Sequence, residues 1–229
     1  MQKQQKSRRV ENLKVEAECA ACILSRASAE ATEATINPAF RFRAMNEILR
    51  LLHKEFKPTA VPADLGTKRD RIIKRVTSND DPYMRRKRIS NEKALKLLPH
   101  ARKMVEEGYM QQDRFKRACL CAMVGNIMEF DIPGHKFTFN ILRKSFREAA
   151  KDLAIDDINK IYEITKGARK ILFLADNAGE IVFDTLLVEQ LKNMDLTVTV
   201  AVKGAPVIND ATLVDAEVSG MSKIADKII

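Results

Sequence analysis

ILFLADNAGEIVFD, residues 171–184, and VKGAPVINDAT, residues 202–212, decide the fold. In each, an apolar strand-like run ends in a loop that sets a carboxylate beside an amide, Asp176 with Asn177 and Asn209 with Asp210. Between them, residues 181–194 carry apolar side chains at 183, 186, 187, 191 and 194, the spacing of one buried helix face. The unit therefore reads strand, helix, strand. A crossover of that length makes the two strands parallel, and open parallel sheets bind ligands in the crevice beyond the strands' carboxyl ends. Asp176 and Asp210 are expected there together.

Carboxylate and amide oxygens suit a hard divalent cation such as Mg²⁺ or Mn²⁺, whereas a zinc site would usually recruit His or Cys. Neither stretch contains His. Gly179 permits a tight turn, and the helix beginning near Glu180 is expected to aim free backbone N–H groups at the same crevice, an anion site beside the cation site. The competing reading of Asp176-Asn177 is a plain helix cap. The glycines of a dinucleotide-binding turn are absent from this loop, and neither a P-loop nor a G-x-S-x-G elbow occurs in the chain.

Residues 1–168 read as mainly helical. Asn37-Pro38 makes a cap and first-turn proline ahead of a stripe at Met45, Ile48, Leu49, Leu52 and Phe56, which PTAVPADLG, residues 58–66, interrupts. Further helices are predicted over 14–34, 67–77, 90–107, 111–128, 138–153 and 156–166, with Gly108 and Gly167 as stops. The fold class is α/β, a helical N-terminal domain (1–168) packed on a small Rossmann-like parallel sheet domain (169–229) that carries the metal-binding loops. A short helix over 211–219 leads into ADKII, read as the start of a third strand.

Residues 169–229 hold six Lys and Arg against nine Asp and Glu, net −3, and residues 1–168 hold 34 against 22, net +12. The strongest basic run is YMRRKRISNEKALK, residues 83–96. With no Trp, three Tyr and no nucleic-acid-binding motif, that run reads as the wet face of a helix or as a basic rim that draws phosphates to the crevice. A non-catalytic protein that uses this basic part to bind nucleic acid or another protein is the competing function. Four cysteines, no apolar leader in MQKQQKSRRVENLK and no run of some 18 apolar residues point to a cytoplasmic protein with no membrane partner. Cys19, Cys22, Cys119 and Cys121 read better as buried thiols than as a zinc site, because 119 and 121 would face opposite sides of a helix. His53, His100 and His135 read as surface or packing residues.

DNAGE at 176–180, KGAPVINDAT at 203–212, the Gly125-Asn126 pair in VGNIMEF and the CAAC at 19–22 together resemble the domain of unknown function 89 family, the metal-dependent damage-control phosphatases. That resemblance implies that Asp176, Asn177 and Asp210 bind one divalent cation, with Mg²⁺ or Mn²⁺ favoured and Ni²⁺ or Co²⁺ as alternatives, and that Asp176 and Asp210 are catalytic. It implies substrate-side roles for Asn126 and Lys203, to which the anion site at the helix start adds Gly179 and Glu180; to Cys19 and Cys22 it assigns no settled role, structural or redox. The implied reaction is hydrolysis of phosphomonoesters of small metabolites, such as sugar phosphates and damaged or surplus phosphometabolites. Glu129 stands where many members have Asp. Residue 178 is Ala, so the Asp-x-Asp of carboxylate-nucleophile phosphatases is missing and attack by activated water is favoured. Family members continue with further strands and a later phosphate-holding Lys-Gly segment. The sheet is accordingly expected to be incomplete and the turnover of these 229 residues weak.

Overall fold

The computed structural model describes residues 13–127 and 138–229. The chain divides into two compact units, residues 1–83 and 84–229. Packing thus divides at 83/84, while secondary structure changes from all-helix to alternating strand and helix at 168/169.

The first unit is three helices, α1 (Glu18–Ala34), α2 (Pro38–Glu55) and α3 (Pro62–Thr77). Asn37 caps α2 by accepting from the Ala39 N–H at 2.9 Å, with Pro38 in the first turn as its fixed φ favours. The predicted break over 58–66 is shorter than expected: Pro62 sits at the start of α3, where a missing N–H costs nothing. Ile23, Ala27, Ala44, Ile48, Leu65 and Ile73 form the core of this unit.

The second unit begins with α4 (Met84–Glu106), α5 (Gln111–Ile127), α6 (Phe139–Lys151) and α7 (Ile158–Lys166). It continues through β1 (Lys170–Leu174), α8 (Glu180–Lys192), β2 (Thr197–Ala201), α9 (Leu213–Ser219), a 3₁₀ turn at 221–223 and β3 (Lys227–Ile228). The strands are parallel in the order β1-β2-β3, with Lys170 opposite Thr197 and Leu174 opposite Ala201. The strand–helix–strand reading holds, with one correction to α8. It is not a helix with one buried stripe, since Ile181 to Leu186 are all buried along with Val188, Gln190 and Leu191. It packs against β2 on one side and α4 and α5 on the other, so nearly every face is covered. The opposite face of the sheet leaves Leu172 and Leu174 exposed.

α4 starts at Met84, six residues before the predicted boundary. Its buried stripe of Ala94, Leu97, Ala101 and Met104 runs back through Ser90 and Asn91 to Lys87, all buried. The basic run is therefore a wet face only in part. Arg85 and Arg88 are exposed, but Lys87 faces inward.

Candidate functional site

β1 and β2 are neighbours, so the loops leaving their carboxyl ends run side by side, and backbone hydrogen bonds stitch them together. Ala211 N–H donates to the Asp176 carbonyl at 2.6 Å, Ala178 N–H to the Asn209 carbonyl at 2.9 Å and Lys203 N–H to the Ala211 carbonyl at 2.9 Å. Asn177 and Asp210 face each other as an isolated antiparallel bridge pair. Two loops 33 residues apart in sequence are thereby one surface.

The side chains on that surface orient one another. The Asn177 amide donates from Nδ2 to Asp176 Oδ2 and to Glu180 Oε2, each at 3.0 Å. With its nitrogen held between two carboxylates, the amide keeps Oδ1 for another partner, because the flipped amide would set oxygen against oxygen. Asn126, at the end of α5, also donates from Nδ2 to Glu180 Oε2, at 2.8 Å. Glu180 is thus the shared acceptor that fixes two amides. Lys203 Nζ lies 3.3 Å from Asp210 Oδ2, bringing an ammonium to the edge of the same surface. Asp176, Asn126 and Lys203 are exposed, and Asn177, Glu180 and Asp210 half-buried.

Asp176, Asn177, Asp210, Gly179, Glu180, Asn126 and Lys203 therefore all lie on or beside these two loops. Among the described residues no group of three or more His, Cys, Asp and Glu side chains gathers into a metal cluster. A cation here would rest on two carboxylates and one amide oxygen. An all-oxygen set suits a hard cation such as Mg²⁺ or Mn²⁺, which keep positions for water and phosphate oxygens, better than zinc, which usually recruits His or Cys.

The expected anion cradle is smaller than the sequence suggested. The N–H groups of Ala178 and Gly179 donate to Asn209 O and Asn91 Oδ1, and those of Ile181 and Val182 to Asn177 O and Gly179 O. Over 178–182 only the Glu180 N–H lacks a protein acceptor among the described residues. Gly179 itself has φ +83°, a conformation that glycine adopts without strain. Ile208, two residues before Asp210, has φ +47°, a genuine outlier for a β-branched residue. Such strain persists where surrounding structure holds it, often beside functional groups.

Four residues of this neighbourhood escaped the sequence reading. Asp184, one turn into α8 from Glu180, is 3% exposed; burial, with repulsion from Glu180 and Asp176, raises its carboxyl well above the usual carboxylate range. Lys87, Asn91 and Asp215 form a buried polar group beneath the loops. For Lys87 and Asn91 the available signal was the apolar stripe of α4, which, extended back by turns of three and four, runs through the polar positions 91, 90 and 87.

Cys19 is half-buried, Cys22 exposed, Cys119 half-buried and Cys121 buried, all as free thiols. Burial pushes the thiols of Cys119 and Cys121 up to about 12, which makes them poor nucleophiles. His53 is exposed, and His100 stacks on Phe139 with ring centroids 4.7 Å apart. Glu129 and His135 lie outside the described residues. A cavity of about 540 Å³ between α4, α5 and α6 is lined by Lys103, Arg117, Arg143 and Arg147. Its α4 residues Lys103 and Met104 lie some 20 Å along the helix from Asn91, at about 1.5 Å per residue. No helix among the described residues is long and apolar enough to cross a membrane.

The sequence profile of the damage-control phosphatase ARMT1-like domain matches residues 15–228. A damage-control phosphatase of Archaeoglobus fulgidus is 33% identical over 222 residues, 95% of this chain and 74% of that protein. One from Pyrococcus horikoshii is 31% identical over 218 residues, 94% of this chain and 73% of that protein. A crystal structure of a DUF89 family protein from Pyrococcus horikoshii superimposes with a TM-score of 0.80 at 32% identity, covering 95% of this chain and 73% of that one.

Proposed function

From the premise that this chain belongs to the damage-control phosphatase ARMT1-like domain family, we propose that its phosphatase role is a divalent-cation-dependent hydrolysis of phosphomonoesters of small metabolites. The observation that carries the reading is the stitching of the two post-strand loops, which sets Asn177 opposite Asp210 with Asp176 alongside.

Asp176, Asn177 Oδ1 and Asp210 would hold the cation, which when bound supplies charge neutralisation on a phosphate oxygen and activation of water. Glu180 keeps the Asn177 amide turned so that its oxygen stays available, and holds Asn126 at the rim. Lys203 brings a second positive charge to the phosphate side of Asp210. Asp176 is a weaker nucleophile candidate than water, because it has no second carboxylate two residues on: position 178 is a buried alanine.

The test is phosphate release from a panel of phosphomonoesters, sugar phosphates included, with Mg²⁺, Mn²⁺, Ni²⁺ or Co²⁺ and after chelation. Release that requires the added cation and disappears in Asp210→Ala is expected. Release untouched by chelation would contradict the reading.

A further inference from the structure

Asn91 sits in the middle of α4, is 2% exposed and uses both ends of its amide. Its Oδ1 accepts from the Gly179 N–H at 2.7 Å, and its Nδ2 donates to Asp215 Oδ1 at 2.8 Å. Gly179 lies two residues after Asn177. Asp215 is in the first turn of α9, where its Oδ2 accepts from Thr212 N–H at 2.9 Å and Thr212 Oγ1 at 2.8 Å. Thr212 lies two residues after Asp210. One buried side chain therefore joins the loop that follows β1 to the helix start that ends the loop after β2.

The orientation of the amide follows from its partners. A carboxylate on one side demands the nitrogen, and an N–H on the other demands the oxygen. Lys87, one turn earlier on α4, holds Nζ 3.6 Å from Asp215 Oδ2, with both side chains 5% exposed. The ammonium offsets the carboxylate charge, so the burial of Asp215 is compensated. The positive φ of Gly179 is the backbone counterpart: the turn there directs its N–H to α4 rather than into α8.

We propose that Asn91 is a positioning residue for the cation site, its amide holding the Asp176-Asn177 loop in register with the Asp210 loop. It touches no reacting atom. The inference rests on the cation-dependent reading above. Groups that orient metal ligands without binding the metal typically change its affinity by ten- to a hundredfold when altered.

The experiment measures Mn²⁺ dissociation constants, by the electron paramagnetic resonance signal of free Mn²⁺, together with thermal midpoints. It uses the full chain as wild type, Asn91→Leu, Asn91→Asp, Asp215→Asn and the double swap Asn91→Asp/Asp215→Asn. Each single substitution is expected to weaken Mn²⁺ binding by about tenfold or more. The double swap should return it to within about threefold, because a carboxylate at 91 can accept from both Gly179 N–H and an amide at 215. The swap conserves side-chain volume and net charge, so it reports even where Asn91→Leu fails to fold. Wild-type affinity in a folded Asn91→Leu, or a swap that recovers the thermal midpoint without the affinity, would overturn the proposal and reduce Asn91 to a packing residue. A wild-type chain that binds no Mn²⁺ would instead bring down the cation reading, and this inference with it.

Discussion

Residues 13–83 bury Glu30, Arg69 and Asp70 against one another, whereas residues 84–229 bury Lys87, Asn91 and Asp215. The chemistry of the two groups is similar, but their connections are not. In the first, Arg69 reaches Asp70 at 2.6 Å and Glu30 at 3.4 Å, so every member belongs to α1 or α3. Burial and the nearby Asp70 raise the Glu30 carboxyl from 4.5 to about 8. In the second, the hydrogen bonds end on Gly179 N–H and Thr212, in loops that carry Asp176 and Asp210. A buried polar group confined to helices tunes stability; one that ends on loop backbone also sets the geometry of what the loop displays. This contrast generates predictions of graded size.

The largest effect belongs to the displayed carboxylates. Asp176→Ala or Asp210→Ala should lower cation-dependent phosphate release by at least about a hundredfold, the scale of one preorganised electrostatic contact, with little change in thermal midpoint. A comparable rate in either variant would detach the loops from the chemistry.

Next comes the backbone to which Asn91 is tied. Gly179→Ala places a Cβ at φ +83° and ψ −50°, a sparsely populated region for an L residue, and should cost about 1–3 kcal/mol, seen as a lowered thermal midpoint. It should also weaken Mn²⁺ binding by about tenfold, because the shifted turn carries Asn177 with it. A destabilised variant with undiminished affinity would mean that the turn is held for folding alone.

The helix-confined group should behave differently. The native state retains the Glu30 proton up to about pH 8, whereas the unfolded chain releases it near 4.5. Stability associated with that group is therefore full below about pH 4.5 and lost as pH rises toward 8. Glu30→Gln keeps the site neutral at every pH, so its stability relative to wild type should rise from pH 5 to pH 9, in denaturant titrations at each pH. Its Mn²⁺ affinity should match wild type. An affinity change would erase the contrast between the two groups.

The smallest effect concerns the basic surface. Binding to duplex DNA or RNA at physiological salt should be no tighter than about 10⁻⁶ M, the non-specific range. A nanomolar constant would favour the competing view of a basic binding protein.

Much of this architecture was legible in the chain because its signals are local. Strand runs ending in Asp-Asn and Asn-Asp, a helix of crossover length and a proline after Asn37 each act within a few residues. Boundaries failed where chemistry and burial conflict: Arg85, Arg86, Lys87 and Arg88 looked like the wet side of a later helix, although Lys87 is buried and α4 begins before them. The flanks of α8 misled for the opposite reason, since Asp184, Thr185 and Gln190 are polar residues on faces that are nonetheless covered. At the site, the loop residues announced themselves by type and spacing. The support beneath them did not, because Asn91 lies 88 residues from Gly179 and 124 from Asp215, and no periodicity in one chain connects positions that far apart.

The central claim is that the two loops form one oxygen-lined cation site. Crystals of the chain grown with Mn²⁺ and measured at the manganese absorption edge test it most directly. The account predicts one strong anomalous peak with an Asp176 carboxylate oxygen, Asn177 Oδ1 and an Asp210 carboxylate oxygen all within roughly 2.5 Å of it. An anomalous peak bound elsewhere, or none at a concentration that supports phosphate release, would contradict it.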